Sequence, residues 1–304
     1  MSGATQAAEA VYEVYALRYA THDTRRSGEN YLGEDPHEDV SMPLDFYVWV
    51  IRGNGRVVLV DTGFDAATAA RRQRRYLHAP QALLGELGIA PGDVDTVLIS
   101  HMHYDHAGNI RAFPQATLRL QEAEMAYCTG RCMCHATVRR PFEPRDVCAA
   151  IEQLHAGRVE FTQGDETIAP GIEVHLIGGH TAGLQAVRVN TARGRVVLAS
   201  DAAHYWDHVR AGRLFPIVHH VGEMLDGHRR LRQLADGPEH VIPGHDPLVR
   251  ERFSHWNGHP DIVALHLPPL AREGGDEDKD KDEGRAEPHR ARHDEAVLET
   301  GDAR

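Results

Sequence analysis

The sequence predicts an α/β protein of the α+β type, with two mixed β-sheets covered by helices. Three observations lead there. Short β-branched and aromatic runs fill the first sixty residues and recur between 159 and 199, and a helix-patterned block separates the two groups. A last helix precedes one final strand, and nowhere is there sustained βαβ alternation. With 304 residues, 41% of them hydrophobic, the chain can fill a sizeable core, so one large domain over residues 1–270 is expected.

Residues 11–17 alternate apolar and polar side chains as a first strand, and the polar stretch 21–39, with Gly and Pro but no period, reads as a long loop. Runs 46–51 and 56–60 flank Gly53-Asn54-Gly55, whose residues accept the positive backbone angles of a tight hairpin. A helix pattern covers 66–87, interrupted near Pro80, and 95–100 is a short buried strand. After a strand at 118–120, residues 121–155 read as helices broken at Pro141 and Pro144, forming a helical cap. Strands follow at 159–161, 172–177, 184–189 and 195–199, then a helix at 218–235 and a last strand at 240–242.

The remainder, 271–304, holds the run from Glu273 to Glu283 without one apolar residue, so it should be a disordered, solubilising tail. Net charge is -12, which argues against a nucleic-acid partner, because such binding needs Lys and Arg to neutralise phosphates. No run approaches the ~18–20 apolar residues that span a bilayer, so no membrane partner is expected. The start lacks a basic and then apolar leader, which sets cytoplasmic residence as the expectation. In that compartment Cys128, Cys132, Cys134 and Cys148 should be reduced thiols packed under the helical cap, a thiolate metal site being the alternative.

His101-Met102-His103-Tyr104-Asp105-His106 places three imidazoles and a carboxylate in six residues, directly after an apolar strand. Imidazole and carboxylate are ligands that borderline divalent ions such as zinc prefer, and a turn leaving a strand can aim several at one point. His180, Asp201 and His245 occur in the same setting, each past an apolar run and beside small residues that let backbone approach an ion closely.

His-x-His-x-Asp-His, then Gly-His-Thr-x-Gly, an Asp after a strand and a Gly-His together resemble the motif series of the metallo-β-lactamase superfamily over roughly residues 40 to 250. The resemblance implies an αββα sandwich with metals at one edge between the sheets. It implies that His101, His103 and His180 bind one metal, that Asp105, His106 and His245 bind another, and that Asp201 bridges them. Asp61, in Val60-Asp61-Thr62-Gly63, resembles an early Asp that orients ligands. Seven such ligands suit two divalent ions about 3.5–4 Å apart, most readily Zn2+, sharing a hydroxide that attacks a carbonyl carbon while Asp105 carries a proton to the leaving group. Iron, manganese or cobalt would suit the same ligands.

Within the superfamily the chain resembles the N-acyl homoserine lactonases, quorum-quenching enzymes, in His101 to Gly108, in Asp201-Ala202-Ala203-His204-Tyr205 and in Gly244-His245-Asp246. Those lactonases place a substrate-contacting Tyr three residues after the bridging Asp, where this chain has His204 and then Tyr205. Either side chain can donate to a lactone carbonyl, and both are candidate catalytic residues. The implied partner is a small-molecule lactone. The walls of its groove should be the loop before Asp45, the cap at 125–154 and the stretch 205–221; Trp206, Leu214, Phe215 and Ile217 either line it or pack a helix on the sheet. Alternatives are a hydrolase of another small lactone, a glyoxalase II-like thioesterase, which the acidic tail disfavours, and a non-catalytic metal-binding module, which the filled ligand positions disfavour. A homodimer built on the long N-terminal loop stays open.

Overall fold

β1 (Glu13–His22) and β2 (Leu44–Gly53) are buried along nearly their whole length, which requires cover on both faces. In the computed structural model of the chain, which describes residues 10–271, they pair antiparallel within an eight-stranded sheet. β3 (Arg56–Val60) returns from a turn in which Asn54 and Gly55 have φ of 52° and 73°, the left-handed pair the Gly-Asn-Gly run predicts. The helix pattern at 66–87, expected to be interrupted near Pro80, is two helices, α1 (Ala66–Arg72) and α2 (Pro80–Glu86), with β4 (Arg75–Tyr76) between them pairing with β1. Gln73 ends α1 in the left-handed conformation, at φ 55°, and Pro80 opens α2 at its first turn.

β5 (Thr96–Leu98), β6 (Thr117–Gln121) and β7 (Val159–Thr162) extend this sheet in parallel from β3. Between them lie α3 (Tyr104–Ala107), α4 (Glu122–Thr129), α5 (Ala136–Arg139) and α6 (Pro144–His155), the last three where the cap was expected. The second sheet holds β8 (Glu166–Ala169), β9 (Ile172–Leu176), β10 (Gln185–Thr191), β11 (Gly194–Ser200) and β12 (Val241–Pro243), in the order β12-β11-β10-β9-β8. Its pairs are antiparallel except β11 with β12, so both sheets are mixed. α7 (Trp206–Ala211) and α8 (Val221–Leu234) join those two strands, and after α9 (Leu248–Arg252) the chain returns through β13 (Ile262–Ala264) to pair with β1.

Alternation along the strands divides the core into layers. Trp49, Ile51, Val58 and Leu98 face Val174, Val187, Val189 and Leu198 between the sheets. On the far side of the first sheet Leu59, Val97 and Leu118 pack with Leu83, Leu84, Ala149 and Ala150 of the helices. On the far side of the second, Ala186, Val197 and Ala199 meet Val209 and Leu231 of α7 and α8. The result is the αββα sandwich. No helix among the described residues is long and apolar enough to cross a membrane. The charged tail, apart from Ala271, lies outside the described residues.

Candidate metal centre

Both sheets end at one edge, and the donor-bearing turns leave from those ends. Asp61 follows β3 with a left-handed backbone, φ 61°. His101 and His103 follow β5, and the short α3 then carries Asp105 and His106. His180 follows β9 through Gly178 and Gly179; a Cβ on Gly179 would lie 2.5 Å from the Met224 backbone nitrogen, so only glycine lets α8 come this close. Asp201 follows β11 and His245 follows β12.

All seven predicted donors meet there. His101 Nε2, His103 Nδ1 and His180 Nε2 lie 2.9–3.1 Å from one another. Asp201 divides its carboxylate: Oδ2 is 3.3 Å from His180 Nε2, while Oδ1 is 2.9 Å from His245 Nε2 and 3.2 Å from His106 Nε2. Asp105 Oδ2 stands 3.7 Å from His106 Nε2 and 3.8 Å from His245 Nε2. The donors thus form two groups, His101, His103, His180 and Asp201 in one and Asp105, His106 and His245 in the other. All are buried; Asp105, at 8%, is the most exposed.

The outer nitrogens set which inner ones carry lone pairs. His180 Nδ1 donates to the Ile217 carbonyl at 2.7 Å, His245 Nδ1 to the Asp45 carbonyl at 2.8 Å and His106 Nδ1 to Asp61 Oδ2 at 2.7 Å. Asp61 also accepts from the Ser100 backbone at 2.7 Å and its hydroxyl at 2.8 Å. Burial pushes the His101 and His103 imidazoles well below their usual pKa, so they are neutral donors. Burial opposes the charge on Asp201, but the imidazoles of His245, His106 and His204 outweigh it and hold that carboxyl well below its usual range.

This donor set fits divalent metal. Imidazole lone pairs aimed at one another from 3 Å repel unless a cation lies among them. The buried His106 Nε2 and Asp201 Oδ1 also have no hydrogen-bond partner among the described residues, which is costly unless a ligand satisfies them.

Of the two other candidates, His204 reaches the cluster, with Nε2 3.1 Å from Asp201 Oδ2 and its ring stacked on Phe215. Tyr205 points away. Its hydroxyl donates to the Pro43 carbonyl at 3.0 Å and accepts from Asn30 Nδ2 at 3.0 Å, bracing the N-terminal loop. Trp206 is part of the core between the sheets, with Nε1 on the Val241 carbonyl, whereas Leu214, Phe215 and Met224 form a small cluster beside His180 and His204. Cys128 is buried and Cys132 partly so, but Cys134 and Cys148 are exposed rather than packed, Cys148 preceding the inward-facing Ala149 and Ala150 on α6. Among the described residues no group of metal-type donors includes a cysteine.

Sequence reasoning missed Glu124. Fully buried in the first turn of α4, it accepts from Met102 N at 2.8 Å, Thr181 Oγ1 at 2.6 Å and Gly183 N at 3.1 Å, tying the His101 turn to the His180 turn. A Cβ on Gly183 would stand 2.2 Å from the Glu124 nitrogen, which explains the second glycine of Gly-His-Thr-x-Gly.

The family model described as the metallo-beta-lactamase superfamily matches residues 46–245. The N-acyl homoserine lactonase AiiB of Agrobacterium fabrum is 31% identical over 244 residues, covering 71% of this chain and 82% of its own. The N-acyl homoserine lactonase AttM of Azorhizobium caulinodans is 28% identical over 179 residues, 58% of this chain and 66% of its own. Among solved structures, an N-acyl homoserine lactone hydrolase with N-hexanoyl-L-homoserine bound at its catalytic metal center gives a TM-score of 0.63 at 19% identity, covering 79% of this chain and 96% of that one. AidC, a dizinc quorum-quenching lactonase, gives 0.63 at 15% identity, covering 87% and 99%. At those identities the structural likeness concerns the fold.

Proposed function

The chain belongs to the metallo-beta-lactamase superfamily, and from that premise we propose that it is a metal-dependent lactonase opening the ring of N-acyl homoserine lactones, a quorum-quenching hydrolase. The observation that carries this reading is Asp201, whose two carboxylate oxygens face two separate imidazole sets, the arrangement a two-metal hydrolytic centre needs. The lactonase names of the relatives supply the substrate class.

His101, His103 and His180 would hold one ion, Asp105, His106 and His245 the other, with Asp201 shared and zinc favoured by the mixed His and Asp donors. When bound, such ions supply Lewis acidity and lower the pKa of water towards neutrality. In the reaction water adds across the ester: the acyl C–O bond breaks, the carbonyl carbon takes the hydroxyl and the ring oxygen takes a proton. Asp105 carries that proton, being the most exposed of the donors and therefore the one an entering substrate meets. His204, its Nε2–H on Asp201 Oδ2, positions the shared carboxylate, and its Phe215 stack fixes the ring. Tyr205 is spent on the loop and takes no part in the chemistry.

The test is a hydrolysis panel with zinc-loaded protein: homoserine lactones of several acyl lengths, γ-butyrolactone, a glutathione thioester and a β-lactam. Homoserine lactones are expected to be opened with the highest kcat/KM. Preference for the thioester or the β-lactam would overturn the lactonase reading. Metal analysis of protein isolated without added metal tests zinc and the two-ion count.

A further inference from the structure

Beside the metal centre lie two guanidiniums that no carboxylate among the described residues pairs with, Glu29 acting on Arg25 only from beyond ion-pair distance. Arg72, Arg74 and Arg25 gather around Tyr104, the residue before Asp105. Arg72 lies over the Tyr104 ring and pairs with Glu143 at 2.8 Å. Arg74 and Arg25, both partly buried, have no carboxylate within ion-pair distance among the described residues. Arg74 gives Nε to the Tyr104 hydroxyl at 3.3 Å and Nη1 to the Arg72 carbonyl and to His22 Nε2. Arg25 gives Nε to Asn30 Oδ1 and Nη2 to the Glu29 carbonyl. Each is left with one Nη group lacking an acceptor among the described residues.

His22 lies behind Arg74 and adds no negative charge. An arginine can only donate, so His22 Nε2 accepts from Arg74 at 3.4 Å and the imidazole proton must sit on Nδ1. That Nδ1 is buried, out of reach of solvent, and has no partner among the described residues. Burial and the two guanidiniums lower the His22 pKa to about 4, so the ring is neutral and is itself no source of charge. The nearby carboxylates are engaged elsewhere, Glu29 with the Arg26 backbone at 3.0 Å and Asp23 with Arg75 at 2.7 Å. Two like charges placed together, with spare donors that solvent can reach and no carboxylate paired to either, make a place that suits an entering anion.

The place is tied to the centre from both sides. Tyr19, on the same strand as His22, donates to the Asp105 carbonyl at 2.8 Å, and the chain Arg25, Asn30, Tyr205 ends on the residue after His204. We propose that Arg25 and Arg74, with His22 packed behind Arg74, form a carboxylate subsite beside the metal centre, and that the preferred lactone bears an acyl arm ending in a carboxylate. This rests on the lactonase reading and narrows it, since an ordinary acyl homoserine lactone has an uncharged arm.

The experiment compares N-glutaryl, N-adipoyl and N-suberoyl homoserine lactones with the N-hexanoyl and N-octanoyl lactones on the zinc-loaded full chain and on R25Q, R74Q and R25K. At the best arm length the kcat/KM ratio of carboxylate to neutral substrate should be about tenfold or more. In R25Q and R74Q that ratio should fall towards one, with R25K in between. A ratio of one or less at every length, or a ratio that neither R25Q nor R74Q moves, overturns the subsite while leaving the lactonase reading intact. If no lactone is opened, the lactonase reading fails instead. Calorimetric titration with ring-opened N-adipoyl against N-hexanoyl homoserine then decides the subsite, which is refuted if both bind alike or if R74Q weakens both alike.

Discussion

Asp61→Asn removes one charge and almost no volume, and so isolates what that carboxylate does for His106. Asp61 accepts three hydrogen bonds, two from Ser100 and one from His106 Nδ1 at 2.7 Å. An asparagine can keep its oxygen on Ser100 only by turning its amide N–H towards His106 Nδ1, where donor would meet donor. Relief requires the imidazole proton to move to Nε2, the nitrogen that faces Asp201 Oδ1, and the lone pair offered to an ion is then lost. A hydrogen bond to a charged group is worth about 1.5–3 kcal/mol, or roughly 10- to 100-fold in affinity, matching the usual cost of removing a ligand's supporting partner. Competition of zinc against a fluorescent chelator should show that loss in the equivalent bound by Asp105, His106 and His245. The other equivalent, whose imidazoles Asp61 does not touch, should lose only what its coupling through Asp201 passes on, and so less than the first. Two equivalents of wild-type affinity in D61N, or a larger loss at the His101, His103 and His180 group, would refute the reasoning.

Asp105→Ala should lower kcat by about 10²- to 10⁴-fold, the range of a lost general acid, and a rate that survives would remove Asp105 from the proton's path. Gly183→Ala must push the Glu124 backbone aside and should cost about 1–3 kcal/mol, so a Tm equal to wild type would contradict the packing described. His228, buried on α8 with Nε2 on the Ala202 carbonyl, has its pKa lowered to about 4 by burial. The unfolded imidazole protonates first, near 6.5, so stability falls as pH drops from about 6.5 to about 4, by on the order of 3 kcal/mol. H228Q keeps a donor but not the titration; urea unfolding of metal-free protein should give a shallower slope across that window, and parallel curves would exclude His228 as the cause.

The seven donors were legible because each stands at a strand exit beside small residues, a pattern carried by the residues themselves. Glu124 was not: it sits inside a run of helix formers, and only the folded chain brings Thr181 and Gly183 to its carboxylate. The choice between His204 and Tyr205 turned on one step of backbone direction after Asp201, which sets one side chain on the carboxylate and the other on Pro43. Hydrophobic pattern located both sheets and the layer of helices. It passed over β8 and β13, which are four and three residues long. It put the break between α1 and α2 near Pro80 but not as early as Gln73, because a left-handed Gln73 has no signature in hydrophobicity.

A single carboxylate that serves two ions has a consequence for the order of filling. Whichever ion arrives first orients Asp201 and so removes that rotational freedom from the cost of the second, while an empty neighbour leaves one oxygen buried against two imidazoles. Filling is therefore expected to be cooperative: at half an equivalent per chain the solution should contain mainly empty and doubly filled molecules, with few singly filled ones. Activity would then rise in straight proportion to metal added, without the lag of an ordered two-step loading.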